Sequence, residues 1–195
     1  VGFRANLVAE LSQALIQRGS IPVLINTGHV REAMAAARSI LFGHRAEATI
    51  VLSGSPPKEF VELAQLNGQP LIVIGRHEPA CDSVHIDNDT AARMAARLFA
   101  SSGRTRLALA GASSATPNII EREQAFCDEA RALGLRVVVV RGGDTDYDDG
   151  PVVGQTLSSL PEAVRPDAAF CVNDLVAFGG IDRAKQFGLA VPQDL

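Results

Sequence analysis

The chain has 195 residues, 47% hydrophobic and 21% charged, with a formal net charge of -4. That length makes one large domain or two small ones and is enough to bury a proper core. The mildly acidic balance makes these residues a poor partner for polyphosphate, so any DNA-reading part of the protein lies elsewhere.

Leu7, Val8, Leu11, Leu15 and Ile16 fall on one helical face over residues 4–18, and Gly19 ends that helix. Ile21 to Ile25 reads as a short buried strand, residues 30–43 as an Ala-rich helix, and Thr49 to Ser53 as the next strand. Pro56 and Pro57 open a helix over 58–67, closed by Asn67 and Gly68, and Leu71 to Ile74 is a strand bounded by Pro70 and Gly75. Asp87 to Asp89 caps a helix that runs to Ser101. Leu107 to Ala110 is a strand, 119–133 a helix ended by Gly134, and Val137 to Val140 a strand. Pro151 starts a helix over 151–160, Ala168 to Val172 is a strand, and 174–187 is a helix ended by Gly188. Strands this short and apolar on both faces belong to parallel sheets covered by helices. The alternation implies doubly wound α/β architecture, in two subdomains that meet near residues 83–90.

Cys81, Cys127 and Cys171 are far apart and odd in number. They match neither a metal-ligand spacing nor a disulfide framework and read as free thiols in a reducing cytoplasm. No charged start leads into an apolar stretch, and the longest aliphatic run, Val137 to Val140, is far too short to span a bilayer.

Open α/β sheets bind ligands beyond the carboxyl ends of their strands. Four such segments stand out: Gly75 to Glu78, Gly111 to Asn118 leading into Glu121-Arg122-Glu123, Arg141 to Thr145, and Asn173-Asp174. Arg and Asn there offer directed hydrogen bonds to a polyol or a carboxylate. From spacing alone, Arg122 reads first as a solvated helix arginine, with a ligand role the alternative, while Asn173 and Asp174 read equally as ligand contacts or as caps of the following helix. Asp144 to Asp149 is an acidic turn without the ligand spacing of a calcium loop, so no metal site is expected. His29, His44, His77 and His85 lie in segments that suggest no shared centre. The G-x-S-x-G, G-x-x-x-x-G-K-[ST] and H-E-x-x-H patterns are missing, and catalysis has no visible foothold.

Phe3 and Ala5 with Ala9-Glu10-Leu11, ending at Arg18-Gly19, and Asp87-Asn88 with Ala91 and Ala92 resemble the first helix and the V-x-x-D-N segment of the regulatory core of the LacI family of transcriptional regulators. Ser102 to Ala108 is similar to L-G-H-R-R-I-A, with Ser102 for Leu and Arg104 for His, and Arg122 with Ala125-Phe126 to R-x-x-G-F. Pro166 to Asp174 with Gly179, then Gly188 to Asp194, carry the most specific likeness.

The resemblance implies a periplasmic-binding-protein-like (type I) core of two parallel-sheet subdomains, residues 1–86 and 87–195. A sugar or related metabolite would bind in the cleft between them and control a separate DNA-reading headpiece allosterically. No cofactor is implied. The family's effector-gripping Arg falls on Arg122 and its sugar-binding Asn on Asn173. Phe3 falls on the aromatic of the first loop, and Thr116, Asn118 and Thr145 near the pocket. The start of the last helix, with Leu175, Val176 and Phe178, falls at the family's homodimer seam. The family also has a strand before the point matching Val1 and a strand with an effector-binding Asp after the point matching Leu195, so the chain reads as a core truncated at both ends. A periplasmic sugar-binding protein of a transporter is the alternative expectation.

Overall fold

The structure, a computed structural model, describes residues 3–26, 35, 38, 39, 43, 46–52, 56–113 and 116–195, the side chains of Phe3 and Arg4 excepted. The chain divides into two compact units, Val1–His85 and Ile86–Leu195. Among the described residues each carries a three-stranded sheet in which every pairing is parallel. This is the α/β class expected from the short apolar strands.

The first unit holds α1 (Phe3–Gln17), β1 (Thr49–Leu52), α2 (Lys58–Leu66), β2 (Leu71–Ile74) and β3 (Asp82–Val84), with strand order β1-β2-β3. Pro57, at φ -54°, precedes α2, and Gly68, at φ +61°, follows it. The helix places Phe60, Val61 and Ala64 against Leu71. Strand β3 has no apolar run to announce it, and it exists because Ile72 to Ile74 pair with Asp82 to Val84.

One expected strand is absent. Ile21 to Ile25 has no regular structure, and Ile21, Val23 and Leu24 are 89%, 72% and 72% exposed. A strand persists only by pairing, and this segment pairs with no strand among the described residues. The Ala-rich helix expected over 30–43 lies mostly outside the described residues.

The second unit contains α3 (Asn88–Ser101), β4 (Arg106–Gly111), α4 (Pro117–Ala132), β5 (Arg136–Arg141), a 3-10 turn (Tyr147–Asp149), α5 (Gly150–Ser159), β6 (Ala168–Cys171) and α6 (Asp174–Gln186). Its strand order is β5-β4-β6. The period-two alternation of β4 sorts the core into two layers. Leu107 and Leu109 join Ala92, Ala96, Ala125, Phe126 and Ala130 of α3 and α4. Ala108 and Ala110 join Val153, Leu157 and Val176 of α5 and α6. Phe126 stacks on Phe170 with ring centroids 4.4 Å apart. Helices thus cover both faces of a sheet whose central strand is β4. Edge strand β5 is covered less than its four valines suggest: Val140 is buried, while Val138 and Val139 are 41% and 46% exposed.

Candidate functional site at the carboxyl end of the second sheet

From β4 the chain passes through α4 to β5 on one side, then through α5 to β6 on the other. That reversal creates a crevice beyond the carboxyl end of β4, where open α/β sheets bind ligands. The segments facing it are those after Gly111, Arg141 and Cys171.

The loop after β4 is clamped from both sides. Glu123 is 7% exposed, and its Oε1 accepts the Ala112 N–H at 2.9 Å. Arg141 donates through Nη1 to the Ala112 carbonyl at 2.9 Å and also to Glu123 Oε2. A Cβ at Gly111 would stand 2.7 Å from Glu123 Oε1 and 2.8 Å from Arg141 Nη1, so a larger residue there would push both clamping side-chain ends aside. Ser113 ties this loop to the one after β5: its N–H and Oγ–H donate to the Gly143 and Gly142 carbonyls at 2.8 and 2.9 Å.

Arg122 stands in the second turn of α4, half-buried. Its Nη2 and Nε donate to Asn88 Oδ1 at 2.7 and 3.2 Å, and its Nη1 donates to the Val172 carbonyl. Burial lowers its pKa from the ordinary value, opposed by the nearby Glu121 carboxylate. The group stays charged at any physiological pH all the same. Its hydrogen-bonded partners are neutral oxygens, so its charge is available to a ligand.

Asn173 uses both ends of its amide. Oδ1 accepts the Val176 N–H at 2.9 Å and so caps α6, while Nδ2 donates to the Thr145 carbonyl at 2.7 Å. The capping alternative is therefore realised, and the same side chain anchors the loop after β5. Thr116 is the residue before α4, and its carbonyl accepts the N–H groups of Ile119 and Ile120. Asn118 Oδ1 is buried and has no hydrogen-bond partner among the described residues. Arg122 and Asn173 are linked through Val172, and Asn173 and Thr145 directly. Phe3 opens α1 in the first unit, and its side chain lies outside the described residues.

Glu123 and Arg141 stand in the segments singled out after the strands but take no role from the sequence, and Asn88 enters only through the Asp87-Asn88 pair. The bond of Asn88 to Arg122 spans 34 positions. A buried acid next in sequence to Arg122 carried no signal of its own.

Other expected features resolve in different ways. Leu175 and Phe178 are 46% and 58% exposed on α6, whereas Val176 is 1% exposed and packs in the core, so it presents nothing to a partner. In the acidic turn, Asp149 Oδ2 accepts the Asp146 N–H at 2.9 Å. No three metal-ligating side chains are grouped among the described residues. The fold does bring His77 and His85 together, with ring centroids 5.4 Å apart after the ends of β2 and β3, although spacing suggested no shared centre. His29 and His44 lie outside the described residues. All three cysteines are free thiols, and burial pushes Cys171 up to about 11. An open hollow of about 430 Å³ in the first unit is lined by Val61, Leu71 and Cys81. No helix among the described residues is long and apolar enough to cross a membrane.

Comparison with known proteins gives one consistent result. The profile of the family described as "Periplasmic binding proteins and sugar binding domain of LacI family" matches residues 1–195. The HTH-type transcriptional repressor CytR of Escherichia coli (strain K12) is 24% identical over 197 residues, covering 99% of this chain and 57% of CytR. The HTH-type transcriptional repressor PurR of Aliivibrio fischeri is 22% identical, covering 99% of this chain and 59% of PurR. The chain thus spans less than two thirds of the length of these curated relatives. Among solved structures, a LacI family transcriptional regulator from Lactobacillus casei with bound glucose superposes with a TM-score of 0.79 at 27% identity, over 97% of this chain and 73% of that one.

Proposed function

The chain belongs to the family of periplasmic binding proteins and LacI-type sugar-binding domains, and from that premise we propose that it is the effector-binding core of a ligand-responsive transcriptional repressor. A small metabolite, a sugar or a related compound, binds at Arg122 and shifts the balance between two conformations of the core. A DNA-reading headpiece takes the operator, and the acidic core takes the effector. The protein works in the cytoplasm as a homodimer. It performs no catalysis.

The observation that carries this reading is Arg122 itself. A half-buried cation stands at the switch point of a parallel sheet, held by the Asn88 side chain and the Val172 carbonyl. Neither acceptor is charged, so a ligand hydroxyl or carboxylate adds bonds without displacing an ion pair. Asn118 Oδ1 at the start of the same helix supplies a buried acceptor, and Thr145 and Asn173 bring the loop after β5 alongside. The similarity to CytR and PurR over nearly the whole chain favours a regulator over a transporter component. The exposed Leu175 and Phe178 supply an apolar face for the second subunit.

The test is a thermal-shift screen of sugars, sugar acids and nucleobases on the full-length protein, followed by calorimetry with each hit. Ligand bound only by the folded state raises the melting temperature. Arg122→Ala is expected to weaken a hit by about tenfold or more, the loss of charge-assisted hydrogen bonds. Unchanged affinity in the folded variant overturns the assignment of the site. A monomer by analytical ultracentrifugation overturns the dimer.

A further inference from the structure

Asn88 is the side chain on which the geometry of Arg122 depends. It is 3% exposed and follows Asp87, whose carboxylate caps α3 through the Thr90 N–H. Its amide is spent at both ends. Oδ1 receives two N–H groups from Arg122, and Nδ2 donates to the Ile86 carbonyl at 3.1 Å. A buried carboxamide with both ends engaged has one orientation. Two donors on one oxygen then fix one edge of the planar guanidinium, and the Val172 carbonyl fixes Nη1. The plane is set by three bonds, and three of the five N–H groups are committed.

This arrangement has a functional consequence. A free arginine has rotamer entropy to lose when a ligand orders it. Here that ordering is complete before any ligand arrives, the condition under which a contact gives its full affinity. The acceptor matters too. A carboxylate at 88 would hold the guanidinium as well but would neutralise it, whereas the amide oxygen leaves its charge unmatched.

We propose that Asn88 is the positioning residue for the effector contact at Arg122, and that it ties the state of that contact to the backbone of Ile86. Ile86 is the first residue of the second unit. A ligand bonded to the two remaining N–H groups of Arg122 therefore bears on the same side chain that holds the Ile86 carbonyl. The proposal rests on Arg122 being the effector-gripping residue, but its test does not.

The experiment reads the reactivity of Arg122 in the full-length protein without any effector. Phenylglyoxal is added, and modification is followed arginine by arginine by peptide mass spectrometry, with Arg141 as internal reference. Asn88→Ala is expected to speed modification of Arg122 about tenfold, as loss of bonds to a charged group would, with the Arg141 rate and the circular dichroism unchanged. Asn88→Asp, which keeps the oxygen and adds a charge, is expected to slow Arg122 below the wild-type rate. Modification of Asn88→Ala at the wild-type rate, or of Asn88→Asp as fast as Asn88→Ala, overturns the proposal. If Asn88→Ala fails to fold, Asn88→Asp decides alone, and a rate at or above wild type overturns it. Failure of the effector reading appears elsewhere, as unchanged ligand affinity in Arg122→Ala.

Discussion

Glu123 and Arg141 divide one residue between them: Glu123 Oε1 accepts the Ala112 N–H and Arg141 Nη1 donates to the Ala112 carbonyl, each at 2.9 Å. The loop that leads from β4 into α4, and so to Arg122, is held by an ion pair between α4 itself and β5. Glu123→Ala leaves the buried Ala112 N–H and one face of Arg141 unmatched, and unsatisfied groups of this kind cost about 1–3 kcal/mol each. Glu123→Gln keeps a neutral acceptor and is expected to lose less. Urea unfolding midpoints check this, and equal stability of Glu123→Ala and wild type would refute the clamp.

A second prediction concerns the contact of α5 with α6. A Cβ on Gly154 would lie 2.2 Å from the Gly180 carbonyl oxygen and 2.9 Å from the Ala184 amide nitrogen. Those are backbone atoms and do not swing aside. In an exposed helix, Gly→Ala gains about 0.5–1 kcal/mol. Here overpacking costs about 1–3 kcal/mol, so Gly154→Ala is expected to lower stability. A raised melting temperature in that variant would show that the helices are not in backbone contact.

The elements that were legible in the sequence are those whose signals are local. Asp87 caps α3, Gly134 and Gly188 end their helices at φ +74° and +87°, and the runs 71–74 and 168–171 are strands. Ile21 to Ile25 had the same apolar signal and failed, because a strand needs a partner that its own residues do not specify. Asp82 to Val84 succeeded without the signal, because β2 lay beside it. The site follows the same rule. Arg122 and Asn173 were legible as residue types after strands, and the cap made by Asn173 is local to Val176. The Asn88–Arg122 bond and the Glu123–Arg141 pair join distant positions, and only the topology brings them together. Val176 and Leu175 are adjacent, and which of them faces outward depends on the phase of α6 against the sheet.

The thiols give a prediction in alkali. Cys171 is raised by burial from 9.0 to about 11. A raised folded-state value means that the unfolded chain releases this proton first. The thiol's contribution to stability is therefore complete below pH 9 and falls as pH rises toward 11. Native protein at pH 8 is expected to resist iodoacetamide at Cys171, and denatured protein to react at all three cysteines. Rapid native labelling of Cys171 would mean that β6 is not covered as described. Cys171→Ala is expected to flatten the stability curve above pH 9.

Acid tests the other sign. The Glu129 carboxylate receives Arg97 Nε at 2.6 Å and Arg93 Nη1 at 3.4 Å, joining α3 to α4. The Arg97 hydrogen bond does most to lower its pKa below the ordinary 4.5, burial opposes it, and Arg93 adds to the lowering. A depressed folded-state value contributes stability that is fully present above the unfolded value and is lost as pH falls through the folded one. Melting temperature is therefore expected to decline as pH drops below about 4.5. Asp89, also held low by its bond to Arg93, acts with the same sign but only as pH falls below its ordinary 3.8. Glu129→Gln removes the titrating group, so its decline should be shallower than that of wild type, from a lower starting point at pH 7. Because the pair is partly open to solvent, 0.5 M salt should narrow the difference at pH 7. Parallel wild-type and Glu129→Gln curves across the acid range would show that this network does not hold α3 against α4.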